Sequence, residues 1–286
     1  MIGSLFTELS WYELWGPIYF IISIALVYWY FKSVFRYYRS KMSSGQTNYF
    51  LTAVILLYIV TGSPLAAIGK HYLLSAHMLQ LSVLFFIVIP LFILSLPRAF
   101  IRKYFWNHRT QFLIRLFGKP WLTAVAFNGL LTLYFVPFVF NFLKSYPILM
   151  GLVQILLVIN AFLVWWVIIS PLPEISRFSY LTRAAYIFFA SLLLMPIGFF
   201  HLIVQVENYP FYAAVQGDLL PALTAIYDQQ AAGGILKVFQ LSSYTIALLL
   251  IVSRWVKQSD ETEGQVVEKN IRYVRGVVIH LDEDKK

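Results

Sequence analysis

The stretch YLLSAHMLQLSVLFFIVIPLFILSL, from Tyr72 to Leu96, decides the fold class of this chain. It contains no Lys, Arg, Asp or Glu. An α-helix rises about 1.5 Å per residue, so about 20 apolar residues cross a hydrocarbon layer roughly 30 Å thick. The stretch is long enough and apolar enough to do this. It therefore predicts a transmembrane helix.

The rest of the chain has the same apolar character. Of its 286 residues, 60% are hydrophobic and only 12% are charged, whereas a typical soluble domain has about 25% charged residues. This composition excludes a soluble fold and makes lipid the main solvent. The chain has no cysteine, which excludes disulfides, thiolate metal sites, iron–sulfur clusters and thiol catalysis.

Seven stretches pass the same length test, so the sequence predicts an all-α polytopic membrane protein. We expect a seven-helix transmembrane domain at residues 1–256 and a flexible cytoplasmic tail at 257–286, with a short strand around Ile271 to Ile279. The predicted spans are Pro17 to Tyr37, Tyr49 to Gly69, Tyr72 to Leu96, Trp121 to Leu143, Pro147 to Ser170, Tyr180 to Val206 and Ala232 to Trp255.

The distribution of Lys and Arg predicts the orientation of these spans. The loops after the first, third and fifth spans and the C-terminal tail hold most of the basic residues, and cytoplasmic loops are enriched in Lys and Arg. Only Lys70, Lys144 and Lys237 fall on the other side. We therefore expect the N-terminus outside and the C-terminus in the cytoplasm.

The segment from Arg98 to Lys119 alternates basic residues with aromatic and aliphatic ones. This pattern is typical of a helix that lies on the inner leaflet, with its rings among acyl chains and its charges on anionic lipid. The formal charge of +9 would suggest nucleic acid in a soluble protein. Here the membrane topology already accounts for it, so we expect anionic lipid and no nucleic acid as partner.

Two histidines in predicted spans are candidate functional residues, because ionisable groups inside a membrane are costly. His77 is five residues inside the third span and His201 is five residues from the outer end of the sixth, which places both about 7–8 Å below the outer surface. Other polar or sulfur-bearing side chains fall near the same height: His71, Met78, Gln80, Met150, Gln205, Asp228, Gln229 and Gln230.

These residue types in one layer predict a metal site on the outer side. A shared site would take His77 from the third span, His201 from the sixth, and Asp228 or a methionine from a third helix, with Met78 and His71 close by in height. Imidazole and thioether without thiolate suit copper, while a carboxylate leaves zinc or manganese open. Two imidazoles on facing helices also suit the axial positions of a haem.

Each of these residues also has a structural interpretation. Asp228 suits the N-cap of the seventh span. His71 suits the lipid headgroups. His77 and His201 can each bond to a carbonyl of a neighbouring helix, and the methionines can simply fill gaps.

The sequence contains no motif of a hydrolase, a zinc protease, a P-loop or a dinucleotide-binding fold. We therefore expect no enzymatic activity. Gly62-Ser63-Pro64 in the second span combines helix breakers and predicts a bend there.

The sequence contains three further motifs: YLLSAHMLQ at Tyr72 to Gln80, SPLPE at Ser170 to Glu174, and DQQ at Asp228 to Gln230 followed by Gly233-Gly234. Together they resemble the CtaG family of seven-span bacterial proteins. Family members commonly have a second histidine after His-Met-x-Gln, where this chain has Leu81.

The resemblance implies a non-catalytic factor in the bacterial plasma membrane that assists the assembly of caa-type cytochrome c oxidase. Oxidase subunits would then be its partners, with copper delivered or retained on the outer face. We expect an outward-facing pocket between the third, sixth and seventh spans that binds Cu(I) or an oxidase segment. Two alternatives stay open: a haem protein with His77 and His201 as axial ligands, and a metal-free scaffold for oxidase subunits.

Overall fold

The computed structural model describes residues 9–105, 119–172, 178–267, 271–274 and 277–280. Part of the predicted basic segment, at 106–118, lies outside the described residues. So do Arg177, which contributed to the predicted orientation, and the last residues of the SPLPE motif.

The described chain is almost entirely helical. The α-helices are Trp11–Trp15, Pro17–Trp29, Arg36–Tyr38, Gln46–Gly62, Pro64–His71, Leu74–Val83, Ile89–Ser95, Arg98–Phe105, Pro120–Phe135, Pro137–Ser145, Pro147–Ile169, Tyr180–Leu193, Met195–Ile203, Pro210–Ala213 and Ala225–Val267. Tyr30–Phe35 and Leu84–Val88 are π-helical, and Arg39–Lys41 is a 3₁₀ turn.

Five helices are long and apolar enough to cross a membrane, and two bent helix pairs bring the number to seven if each pair is one span. We number them segments 1 to 7 in chain order. They are Trp11–Lys41, Gln46–Gly62 with Pro64–His71, Leu74–Ser95, Pro120–Phe135 with Pro137–Ser145, Pro147–Ile169, Tyr180–Ile203 and Ala225–Gln258. The all-helical membrane fold is as predicted, while the count of seven and the orientation remain predictions.

Proline causes the bend in both pairs, because it lacks an N–H and disfavours a helical residue before it. Segment 2 bends by 43° at Ser63, before Pro64, which confirms the predicted bend. The Ser63 hydroxyl accepts from the backbone N–H of Leu65 and caps the second half. Segment 4 bends by 74° at Val136, before Pro137.

Segment 7 packs against segments 3 and 6, so the three spans predicted to frame the site do lie together. Gly233 permits the contact with segment 6. A Cβ at Gly233 would lie 2.6 Å from the Cβ of His201 and 3.0 Å from the carbonyl oxygen of Gly198. The two backbones therefore approach as closely as they do because this residue has no side chain.

The ends of two predicted spans and the tail differ from expectation. Segment 6 ends at Ile203, since Val204 is extended. The helix of segment 7 begins at Ala225, where Thr224 accepts from the N–H of Tyr227, and it continues past residue 256 to Val267. Ile271–Val274 then pairs antiparallel with Val277–His280, so two short strands stand where one was predicted. The flexibility of the tail stays a prediction.

Candidate functional site

His77 is buried on segment 3, where it bonds to segment 4. Its Nε2 lies 2.9 Å from the hydroxyl oxygen of Tyr134, and the side-chain amide of Gln154 on segment 5 donates to the same oxygen at 2.9 Å. Gly69 supports this position, because a Cβ there would lie 2.7 Å from the backbone nitrogen of His77. The imidazole thus belongs to a hydrogen-bonded chain across three segments.

His201 on segment 6 is fully buried and has partners on both ring nitrogens. Its Nδ1 donates to the carbonyl of Ile197 at 2.8 Å, and its Nε2 lies 2.8 Å from the hydroxyl oxygen of Tyr209. The single proton of that hydroxyl is donated to the carbonyl of Phe135. The carbonyl is available because the helix breaks at Pro137, and a buried carbonyl needs a donor.

Asp228 on segment 7 caps the helix of segment 3 across the bundle. One carboxylate oxygen accepts from the backbone N–H of Leu74 at 2.7 Å, and the other accepts from the N–H of Ser75 at 3.1 Å. The Ser75 hydroxyl also donates to Asp228. The free amides and the dipole at a helix start favour a carboxylate there. The predicted N-cap of the seventh span is therefore wrong: Asp228 lies in the first turn of its own helix and caps the helix of segment 3 instead.

Two stacked rings connect the histidines. Phe135 and Phe140 have centroids 5.9 Å apart. The His77 ring lies 6.3 Å from Phe135 and 5.8 Å from Phe140, and the His201 ring lies 5.9 Å from Phe135. We call His77, Tyr134, Gln154, His201, Tyr209 and Asp228 the buried polar cluster. Its two imidazoles share an aromatic neighbour while bonding to different tyrosines.

The short helix Pro210–Ala213 closes this end of the bundle. The Tyr212 hydroxyl donates to the carbonyl of Gly69 at 2.7 Å, and the Lys144 ammonium donates to the carbonyl of Lys70 at 2.7 Å. Burial raises the pKa of Tyr209 and of Tyr212. Both phenols therefore stay protonated and act as donors to the carbonyls below them.

The other predicted site residues have separate roles. Met78 is fully buried beside His77, and Met150 packs against the main core. The Gln80 amide donates to the carbonyl of Leu65 at 2.8 Å. The Nε2 of His71 is buried and has no hydrogen-bond partner among the described residues. The side-chain oxygen of Gln229 accepts from the backbone N–H of Asn208. The side-chain amide of Gln230 donates to the carbonyl of Val204.

Gln205 does not share a helix face with His201 as predicted. The helix ends at Ile203, so Gln205 lies in an extended connection and is exposed.

The structure does not bring three of the predicted metal ligands together. Among the described residues, no group of three or more His, Asp and Glu side chains is placed to hold a metal ion.

Sequence reasoning missed the tyrosines that bond the two histidines. Tyr134 and Tyr209 each stand close before a proline, at Pro137 and Pro210. Proline breaks a helix and exposes carbonyls, and a buried tyrosine hydroxyl needs a hydrogen-bond partner. A tyrosine near a proline inside or beside a span was therefore a usable signal.

The apolar helices and the buried polar cluster define a multi-pass helical membrane protein whose central polar groups bond mainly to one another and to backbone. The chain belongs to the Caa3_CtaG family, the cytochrome c oxidase caa3 assembly factors, whose family model matches residues 14–258. The predicted family resemblance is confirmed over most of the chain. No match was found among curated proteins or among solved structures.

Proposed function

We propose that this assembly factor acts as a membrane scaffold that holds a cytochrome c oxidase subunit during assembly. The observation that carries the proposal is the match to the oxidase assembly factor family, which is not a class of enzymes. The geometry of the buried polar cluster supports a structural role for its histidines.

Neighbouring groups occupy or cover the atoms of the cluster that could bind a metal ion. An imidazole nitrogen can bind a metal ion only when it carries no proton and no other group covers it. In His201 one nitrogen donates to the carbonyl of Ile197, and the other faces the hydroxyl of Tyr209. In His77 the Nε2 faces the hydroxyl of Tyr134. Both carboxylate oxygens of Asp228 bond to amides of segment 3.

Such bonds stabilise the packing of segments 3 to 7 around the cluster. Each buried polar group would cost about 1–3 kcal/mol if left without its partner. The cluster therefore favours one arrangement of the helices, as a scaffold needs if it is to present a constant surface to its client.

The experiment replaces the three hydrogen-bonded side chains of His77, Tyr134 and Gln154 with apolar ones. We expect the triple variant His77→Leu, Tyr134→Phe, Gln154→Leu to keep its fold, because the three side chains that bond to one another are replaced together. In cells that lack the wild-type chain, it should support normal amounts of assembled oxidase. The single variant Tyr134→Phe, which strands His77 and Gln154, is the matched control and should be less stable. A well-expressed triple variant that yields no oxidase would refute the scaffold proposal.

Copper binding at the same cluster is a second candidate. It is favoured by the two imidazoles that pack against Phe135, with the thioether of Met78 next in sequence to His77. His71 adds a buried Nε2 that has no hydrogen-bond partner among the described residues. Copper would have to displace the tyrosine hydroxyls from the imidazoles, and soft or neutral ligands suit Cu(I).

The copper test measures metal directly. Purified full-length protein is titrated with Cu(I) under reducing conditions in competition with a chromogenic chelator. Copper uptake that is lost in His77→Leu and in His201→Leu but kept in His280→Leu would favour this candidate. No uptake above that of detergent alone would exclude it. The haem alternative is tested by the absorption spectrum of the same preparation, where a Soret band is expected only if haem is bound.

A further inference from the structure

Away from the buried polar cluster, an apolar groove lies between segments 3, 5 and 7. Its volume is about 450 Å³, within the range of about 300–1,000 Å³ that small-molecule sites occupy. Phe86, Pro90, Trp165, Phe239 and Ile251 line it, and Ile246 is 59% exposed at its side. The groove is thus open sideways, toward the lipid.

A second cavity, of about 440 Å³, continues from the end of this groove. The two share Leu94, Ile169, Leu250 and Arg254 in their walls. Unlike the groove, the second cavity is polar and basic. Its lining includes Lys41, Arg98 and Arg254, and the described lining residues include no Asp or Glu. We call it the basic cavity.

Ser170 gives an independent sign that the basic cavity takes a hydrogen-bonding ligand. It ends the helix of segment 5 in the left-handed conformation, with φ of 47°, and it lines the cavity. Its Oγ is buried and has no hydrogen-bond partner among the described atoms. A buried hydroxyl without a partner is costly, and an oxygen of a bound head group would satisfy it.

We propose that the groove and the basic cavity together bind one anionic phospholipid. An acyl chain fills the groove, and the phosphate lies among Lys41, Arg98 and Arg254, within reach of the Ser170 hydroxyl. A neutral apolar occupant would leave three cations and a buried hydroxyl unused. A free phosphate has no acyl chain, so it would leave the apolar groove, which is open toward the lipid, without an occupant.

The predicted orientation places the basic cavity at the cytoplasmic leaflet, where anionic lipids attract Lys and Arg. This inference does not depend on the proposed scaffold function. It gives the anionic lipid expected from the sequence a defined place, in a cavity formed by residues from segments 1, 2, 3, 5 and 7 and the connections beside them.

The test measures lipid binding to the full-length chain, delipidated in detergent, by native mass spectrometry. The probes are phosphatidylglycerol and a phosphatidylcholine with the same acyl chains. We expect one phosphatidylglycerol to bind per chain, in preference to phosphatidylcholine. Equal binding of the two lipids would overturn the proposal, because the cations would then select nothing.

Matched variants locate the head group. Removing one cation near a lipid surface weakens the attraction by about fivefold, so Arg254→Gln should weaken phosphatidylglycerol binding by about that factor. Lys257→Gln is the control, since Lys257 is exposed on the same helix and lines neither cavity. Equal losses in both variants would show nonspecific surface attraction and refute the site.

A second pair locates the acyl chain. Ala247→Phe places a ring in the groove and should abolish binding, while Ala185→Phe on an exposed face of segment 6 should not. Thermal melting of each variant confirms that it is folded. Undiminished binding in a folded Ala247→Phe variant, or displacement of the lipid by inorganic phosphate as readily as by phosphatidylglycerol, would overturn the proposed use of the groove.

Discussion

The contact of Gly233 with His201 gives a sharp prediction about how segments 6 and 7 pack. In Gly233→Ala the new Cβ would lie 2.6 Å from the Cβ of His201, 3.0 Å from the carbonyl oxygen of Gly198 and 3.2 Å from the backbone nitrogen of Leu202. None of these atoms is the free end of a flexible side chain. The two helices must therefore move apart.

The neighbouring Gly234 is a natural control for this substitution. A Cβ at Gly234 meets only the Cδ2 of Leu202, at 3.8 Å, which is an ordinary contact. Both substitutions gain the helix propensity of alanine, about 1 kcal/mol relative to glycine. The difference between the two variants therefore isolates the steric cost, which is about 1–3 kcal/mol for overpacking a close contact.

The assay compares unfolding midpoints of the purified full-length chains in mixed detergent micelles, followed by tryptophan fluorescence. We expect Gly234→Ala to be at least as stable as the wild type and Gly233→Ala to be less stable than Gly234→Ala by about 1–3 kcal/mol. If Gly233→Ala were as stable as Gly234→Ala, the close approach of segments 6 and 7 described here would be wrong.

Three further predictions concern the polar contacts. Asp228→Asn puts an uncharged amide next to the N–H groups at the start of segment 3, so we expect the unfolding free energy to fall by about 1–2 kcal/mol. The control Asp218→Asn, at an exposed position, should change the unfolding free energy little. Tyr209→Phe strands the carbonyl of Phe135 and should cost about 1–3 kcal/mol, whereas Tyr227→Phe, on a side chain 61% exposed, should be neutral in the same unfolding assay. Burial raises the pKa of Tyr212, so its contribution to stability is complete below the unfolded value of about 10 and is lost as pH rises toward the folded value. A pH series of melting curves should accordingly show a weaker alkaline loss in Tyr212→Phe, and an unchanged slope would contradict the buried position.

The apolar spans, the helix breaks at proline and the family could be predicted from the sequence, because each depends on a short stretch of chain. The apolar run from Tyr72 to Leu96 is long enough and apolar enough to cross the hydrocarbon layer, which can be predicted from its own length and composition. Pro64 and Pro137 each break a helix through their own geometry, although only the bend at Pro64 was predicted. The three motifs are likewise local, and they were sufficient to identify the family.

The contacts of the candidate site were decided by tertiary structure. His77 bonds to Tyr134, and Asp228 caps the helix that begins at Leu74, 154 positions earlier in the chain. Depth along a helix can be counted from the sequence, but the direction of a side chain toward another helix depends on how both helices rotate, bend and approach. The 74° bend of segment 4 and the missing side chain at Gly233 determine those directions here. A shared height could therefore be predicted for the two histidines, whereas their separate tyrosine partners could not.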